Sequence, residues 1–210
     1  MDTPLFYILL FVHLTSLILA FGAVMVTDHF GLAWMRDKVP FERLVKSAGT
    51  TQRLIWIGWG GLVVAGIGLL TLKGFIDNLT WIKIYCVALA GVNGYVLHRI
   101  LKSVKRHEDS DAVPTAVMFR LGLSLMISQV AWWGAFLIGF LHRHVRSRIE
   151  WPPLPWLWMV LFSTLVLLTW LAGERYLRRH PSRVKVESSD EAERIERGPG
   201  PTLDPLGKES

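Results

Sequence analysis

Few ionisable residues lie inside the long apolar runs of this 210-residue chain, and His13 is the histidine placed deepest in one. It lies ~14 Å from the start of the first run, at 1.5 Å per helical residue. An imidazole there can ligate haem iron or another metal, or relay a proton; the alternative is a plain hydrogen bond to a neighbouring helix. Ser16, Ala20, Ala23 and Thr27 continue its face at helical spacing. This small, polar face should pack against other helices.

The third and fourth apolar runs offer further polar candidates. Lys83 lies near the start of the third run, where its amine can bind a cofactor or simply extend to the membrane surface. His98 comes near the end of that run, where an interfacial imidazole is the alternative. Met126 and Gln129 lie ~10–15 Å from the end of the fourth run, similar to the depth of His13. The sequence therefore allows a His–Met haem pair, with Gln129 or Ser16 as an acceptor for the ring N–H, or a methionine that only packs.

A metal site is the other chemistry that the spacing allows. Asp28 and His29 end the first run at a depth similar to that of His98, and one carboxylate with two imidazoles can bind Zn or Cu. His142 and His144 form an HxH pair, but arginines surround it and disfavour a cation. The candidate cofactors are therefore haem b or a copper or zinc ion.

Catalytic motifs are missing from the sequence. There is no Walker loop, no GxGxxG and no legible Ser–His–Asp set. The glycine-rich stretch GWGGLVVAGIG lies inside an apolar run, where glycine permits close helix packing. The single cysteine, Cys86, excludes an internal disulfide and a multi-thiolate metal site. These features favour a protein that is not an enzyme.

The elements that must position these residues are five apolar runs of about 20 residues, the length that a helix needs to cross a bilayer. Backbone groups in lipid must be satisfied within each segment, so each run should be a helix. The sequence predicts an all-α, integral membrane, antiparallel helix bundle within residues 1–180. The predicted spans are residues 4–27, 54–72, 80–101, 115–141 and 155–176.

Basic residues predict the orientation of these spans. The first loop, the third loop and the start of the tail carry 15 Lys and Arg residues, against 5 on the other side. This asymmetry favours an outside N terminus and a cytoplasmic C terminus in the cell (inner) membrane. Residues 42–53 are predicted as a short surface helix or a plain loop. The tail, residues 181–210, has almost nothing to bury and is predicted to be disordered.

Two segments carry a family resemblance. They are HLTSLILAFGAVMVTDHF, residues 13–30, and WIKIYCVALAGVNGYVLHRIL, residues 81–101. Together they resemble the CopD-like (copper-resistance D) membrane proteins and the HemJ-type protoporphyrinogen oxidases. The resemblance implies an antiparallel bundle in which some members hold b-type haem. It matches His13 to the first-helix histidine, and Trp81 and Lys83 to a W-x-K motif. Arg120 is followed by LGLSLMISQ, where the oxidases carry an Asn-Glu-x-Pro stretch.

Three functions remain open on the sequence. The first is a cofactor-free transporter or accessory subunit of the membrane. The second is a haem- or metal-binding bundle for electron transfer or ion handling, and the third is an oxidase of tetrapyrrole metabolism. The expected partners are the lipid bilayer and a second membrane protein or another copy of the chain. Nucleic acid is not expected, because the basic residues that give the net charge of +6 cluster beside apolar runs.

Overall fold

The computed structural model describes residues 3–36, 38–39, 41–105, 112–145, 152–181 and 183–185. These residues form five long α-helices, each long and apolar enough to cross a membrane. The predicted all-α membrane bundle is confirmed. The helices are α1 (Pro4–Met35), α2 (Phe41–Lys73), α3 (Asn78–Lys105), α4 (Thr115–Val145) and α5 (Pro155–Arg179).

The first two helices are longer than the predicted spans. α1 continues past Thr27 to Met35, and α2 already begins at Phe41. Apolar residues persist to the end of α1, where Trp34 is buried, so the helix keeps a packing face beyond the predicted span. The segment proposed as a separate surface helix or loop is instead the first part of α2.

α1 and α2 form one tightly packed hairpin. A Cβ added at Gly58 would lie 2.7 Å from the Ser16 carbonyl oxygen and 2.8 Å from the Ala20 Cβ. A Cβ at Gly68 would lie 2.9 Å from Leu9. Glycines on this face of α2 therefore let the two backbones approach closely, as small residues do in membrane helices.

α3 and α4 form a second hairpin. The buried Asn93 donates from Nδ2 to the Ser124 carbonyl oxygen at 2.8 Å. A Cβ at Gly134 would lie 3.0 Å from the Cys86 sulfur, so the two helices also approach closely at that level.

The two hairpins meet mainly through side chains. Phe21 of α1 stacks on Trp132 of α4 with ring centroids 6.3 Å apart. Trp59 of α2 donates from Nε1 to the Val87 carbonyl oxygen of α3 at 2.9 Å. We call this boundary, lined by Phe21, Trp59, Val87 and Trp132, the inter-hairpin seam. Its apolar centre also contains Ala20, Val24, Leu62, Ala90 and Ala131.

α5 lies at the edge of the bundle, and none of its residues is buried. Glu174 pairs with Arg120 of α4 through two hydrogen bonds, at 2.5 and 3.1 Å. The Tyr85 hydroxyl of α3 bonds the Ser163 hydroxyl at 2.7 Å. Polar contacts of this kind hold α5 against the second hairpin.

A short antiparallel ribbon completes the described chain. β1 (Ala112–Pro114) pairs with β2 (Arg183–Lys185), with Val113 opposite Val184. Residues 183–185, which were predicted as part of a disordered tail, pair with the backbone of β1 in the structure. Residues 186–210 of the predicted tail lie outside the described residues.

Candidate functional site

His13 lies inside the bundle with only 6% of its surface exposed. Its Nδ1 is 3.2 Å from the Leu62 carbonyl oxygen of α2, and its Nε2 is 3.3 Å from the Lys83 amine of α3. The predicted interior position of this face is confirmed, since Ala20, Ala23 and Thr27 are buried as well. Of the five residues proposed to bind a cofactor, His13 and Lys83 are therefore brought together.

The two neighbours of His13 demand the same tautomer. A carbonyl oxygen only accepts, so the imidazole Nδ1 must carry the hydrogen that bonds Leu62. With that hydrogen on Nδ1, the Nε2 of the neutral imidazole carries a lone pair, and the Lys83 amine donates to it. The site therefore holds a neutral imidazole whose Nε2 is available as an acceptor or a ligand.

Lys83 brings a primary amine to this site. Its carbon chain and amine pass close to Gly139 of α4, where a Cβ would lie 3.5 Å from the amine nitrogen. Nearby Lys73 pairs with Asp77 at 2.9 Å. Among the described residues, no carboxylate forms a salt bridge with Lys83. The His13–Lys83 centre, as we call this pair, is thus an amine donor beside a neutral imidazole acceptor.

A second polar cluster lies further along α1. The Gln129 amide nitrogen of α4 donates to the Asp28 carboxylate. The Gln129 Oε1 accepts from the Trp133 indole N–H at 3.0 Å. The indole can only donate, so it fixes which way the amide points and directs the Gln129 NH₂ group at Asp28.

An apolar layer separates the two polar clusters. Asp28 follows His13 by 15 residues, which places it about 22 Å further along the axis of α1. Between them lies the apolar centre of the inter-hairpin seam, with Ala20 and Trp132 almost fully buried. A second apolar cluster lies beyond Asp28 and includes Trp34, Ile100 and Leu121. Each polar cluster is therefore isolated from the other in this conformation.

The structure does not bring Met126 and Gln129 to His13, although the sequence allowed such a pairing. Met126 is 66% exposed on the lipid-facing side of α4. Gln129 reaches Asp28, not His13. α4 continues to Val145, beyond the predicted end at residue 141, so both residues lie deeper from that end than the sequence suggested.

The predicted metal cluster of Asp28, His29 and His98 is not formed. The His98 Nδ1 bonds the Gln52 amide of α2 at 2.6 Å, whereas Asp28 points to α4. His29 is exposed and its ring contacts Phe30. Within the described part of the chain, no three His, Cys, Asp or Glu residues could hold a metal ion. The side chains of the HxH pair, His142 and His144, are not among those that the structure describes.

The Gln129–Asp28 link is the polar contact of the candidate site that sequence reasoning missed. Its only sequence signal is that both residues are polar and lie in apolar runs, which does not reveal the register between two helices that are not neighbours in the chain. A third link, between the hydroxyls of Thr27 and Thr51 at 2.6 Å, ties α1 to α2 at nearly the same level.

The fold and these contacts define a multi-pass integral membrane helix bundle with one polar cluster towards each end of its inter-hairpin seam. No protein-family model, no curated protein and no solved structure matches the chain.

Proposed function

We propose that this protein is a membrane transporter whose solute carries an anionic group, and that the His13–Lys83 centre binds that group. The observation that carries the proposal is the Lys83 amine inside a membrane-spanning helix, with an imidazole and no described carboxylate as its bonded partner. A buried charge is costly unless an opposite charge compensates it, and ionisable residues at such depth are functional candidates by default. A carboxylate or phosphate of the solute supplies the missing charge.

The two-hairpin architecture supports transport over a purely structural role. Close backbone packing holds α1 to α2 and α3 to α4, while side chains bridge the inter-hairpin seam. Bundles of this kind can rock one half against the other around a central site. The same architecture serves an accessory subunit, in which Lys83 pairs with a carboxylate of a partner protein.

Thermal unfolding of the full-length protein in detergent tests the proposal, with acetate, succinate and inorganic phosphate as probes and chloride at equal ionic strength as reference. A bound anion stabilises the folded state by mass action, so at least one probe should raise the melting temperature with saturation. Lys83→Met should abolish that rise, and Lys83→Arg should keep it. Lys102→Met, at an exposed position near the other end of α3, is the matched control. Equal responses of the wild type and Lys83→Met contradict the proposal.

Haem binding is a second candidate function, favoured by one observation. Metal-ligating histidines usually donate the other ring N–H to a carbonyl or carboxylate, as His13 does to Leu62. His13 therefore fits an axial ligand, whereas exposed Met126 does not fit as the second. Haem would supply one-electron chemistry, and Lys83 would pair with its carboxylates. A Soret band in protein from haem-replete cells that His13→Ala removes establishes this candidate; colourless protein eliminates it.

The resemblance to the CopD-like and HemJ-type proteins stays part of this proposal. Its support is that His13 and Lys83, two of the residues that carry the resemblance, contact one another.

We propose the cell membrane as the location, with the N terminus outside. In support, nine basic residues with described side chains lie at the end of the bundle opposite Pro4, against Lys73 and Lys83 at the Pro4 end; the nine are Arg36, Lys38, Arg53, Arg99, Lys102, Arg120, Arg175, Arg178 and Arg179.

A further inference from the structure

We propose that Asp28 is a proton-binding site, and that its protonation state governs whether the inter-hairpin seam is closed at the end opposite the His13–Lys83 centre. The juxtaposition behind the proposal is a half-buried carboxylate of α1 bonded to an amide of α4, across the boundary between the two hairpins. Only the biological role of this site rests on the proposed transport function, because proton binding at Asp28 can be measured without any solute.

The first step in the argument concerns charge. On the surrounding helices, the described charged or titratable groups that lie nearest to the level of Asp28 along the bundle are His29, Arg53, His98 and Arg120. None of them bonds Asp28: His98 bonds Gln52, Arg120 pairs with Glu174, and His29 and Arg53 are exposed. Among the residues whose side chains the structure describes, an ionised carboxylate at this position has an amide as its bonded partner and no bonded cation. Without a compensating cation, holding a charge at a half-buried position is costly.

The second step concerns the surroundings of Asp28. One apolar cluster, with Val24 and Trp132, lies on one side of its level, and another, with Trp34 and Leu121, lies on the other. While the seam is closed, these clusters keep water from the carboxylate along the bundle axis. Ionisation at neutral or alkaline pH is therefore best accommodated by a seam that opens and admits water to Asp28.

The third step concerns the link that protonation controls. Trp133 fixes the orientation of the Gln129 amide, so the NH₂ group faces Asp28 in either protonation state. A protonated carboxyl group still accepts this hydrogen bond through its carbonyl oxygen, and it carries no charge to solvate. The closed seam therefore belongs to the protonated form, and loss of the proton to water leaves a carboxylate that favours the open form.

A distance measurement between spin labels across the seam tests this inference. Cysteines replace Leu32, one turn beyond Asp28, and Met126, one turn from Gln129, in a Cys86→Ala background of the full chain in lipid nanodiscs. Both positions are exposed, at 45% and 66%. Pulsed EPR should give one short distance at about pH 5 and an added longer distance at about pH 9, a range that spans the titration of a carboxyl in such surroundings.

Variants assign the response to Asp28. Asp28→Asn cannot ionise and should keep the short distance at both pH values, while His29→Gln and His98→Gln should respond as the wild type does. If Asp28→Asn does not fold, Asp28→Glu replaces it and should shift the midpoint of the pH response. A wild-type distance that is independent of pH, or a response that survives Asp28→Asn, overturns the proposal, as does an unshifted midpoint in Asp28→Glu. Failure of anion binding at Lys83 would leave these outcomes unaffected.

Discussion

Replacing Gly58 by alanine should destabilise the protein, although alanine is the better helix former. The new Cβ would lie 2.7 Å from the Ser16 carbonyl oxygen and 2.8 Å from the backbone nitrogen of Ala20. Both are backbone atoms, so the clash is relieved only if α1 and α2 move apart. Overpacking of this kind costs about 1–3 kcal/mol.

Gly60→Ala is the matched control, because a Cβ at Gly60 meets nothing within 4 Å. Alanine stabilises a helix interior by up to about 1 kcal/mol relative to glycine, so this variant should be neutral or slightly stabilised. Melting of both variants, followed by intrinsic tryptophan fluorescence in one detergent, should place Gly58→Ala about 2–12 °C below the wild type. If the two variants melt together, the close approach of α1 and α2 at Gly58 is refuted.

Gly61 extends this test to a neighbour that can move. A Cβ there would meet the Ser16 hydroxyl, which is the end of a side chain and can rotate away. Gly61→Ala should therefore cost less than Gly58→Ala, whereas Gly61→Leu should lower stability by about 1–3 kcal/mol. Ser16→Ala combined with Gly61→Ala should recover part of any loss, and strict additivity of the two changes would argue against contact.

Three further expectations concern other contacts. Ser124→Ala should leave the melting temperature unchanged or raise it, because the Ser124 hydroxyl is fully buried and has no bonded partner within the described residues. Glu174→Gln should loosen α5, detected as faster motion of a spin label at Leu171, and the exchanged pair Arg120→Glu with Glu174→Arg should restore it; no change in motion would show that the pair does not hold α5. A cytoplasmic reporter fused after Ser210 should be active and a periplasmic one inactive, and the opposite result would reverse the proposed orientation.

The sequence predicted best what depends on a single helix. The five apolar runs follow from length and composition, and the interior face of α1 follows from helical spacing, which places His13 and Ala20 on the same side. The W-x-K resemblance pointed to Lys83, which the structure brings to His13. Such inferences need no knowledge of how helices are arranged around one another.

Predictions that depend on the axial register between helices were less accurate. The span of α1 was predicted to end at Thr27, whereas the helix continues to Met35 and places Asp28 inside it. The estimated depth of Gln129 was wrong for a similar reason, because α4 also extends past its predicted end. Hydropathy marks the lipid-facing part of a helix and does not mark where its hydrogen bonding stops. The residues of α1 and α4 that meet depend on where each helix begins and ends, so these contacts could not be predicted from hydropathy.

The hairpin arrangement also has a consequence for biogenesis. Each tight interface joins helices that are consecutive in the chain, so α1 and α2 can pack before α3 has been synthesised. Local contacts of this kind close only short loops and form early. The bridges across the inter-hairpin seam, such as Gln129 to Asp28, arise only when the second hairpin has entered the bilayer. Assembly in the membrane can therefore follow the order of translation, with α5 added last at the edge.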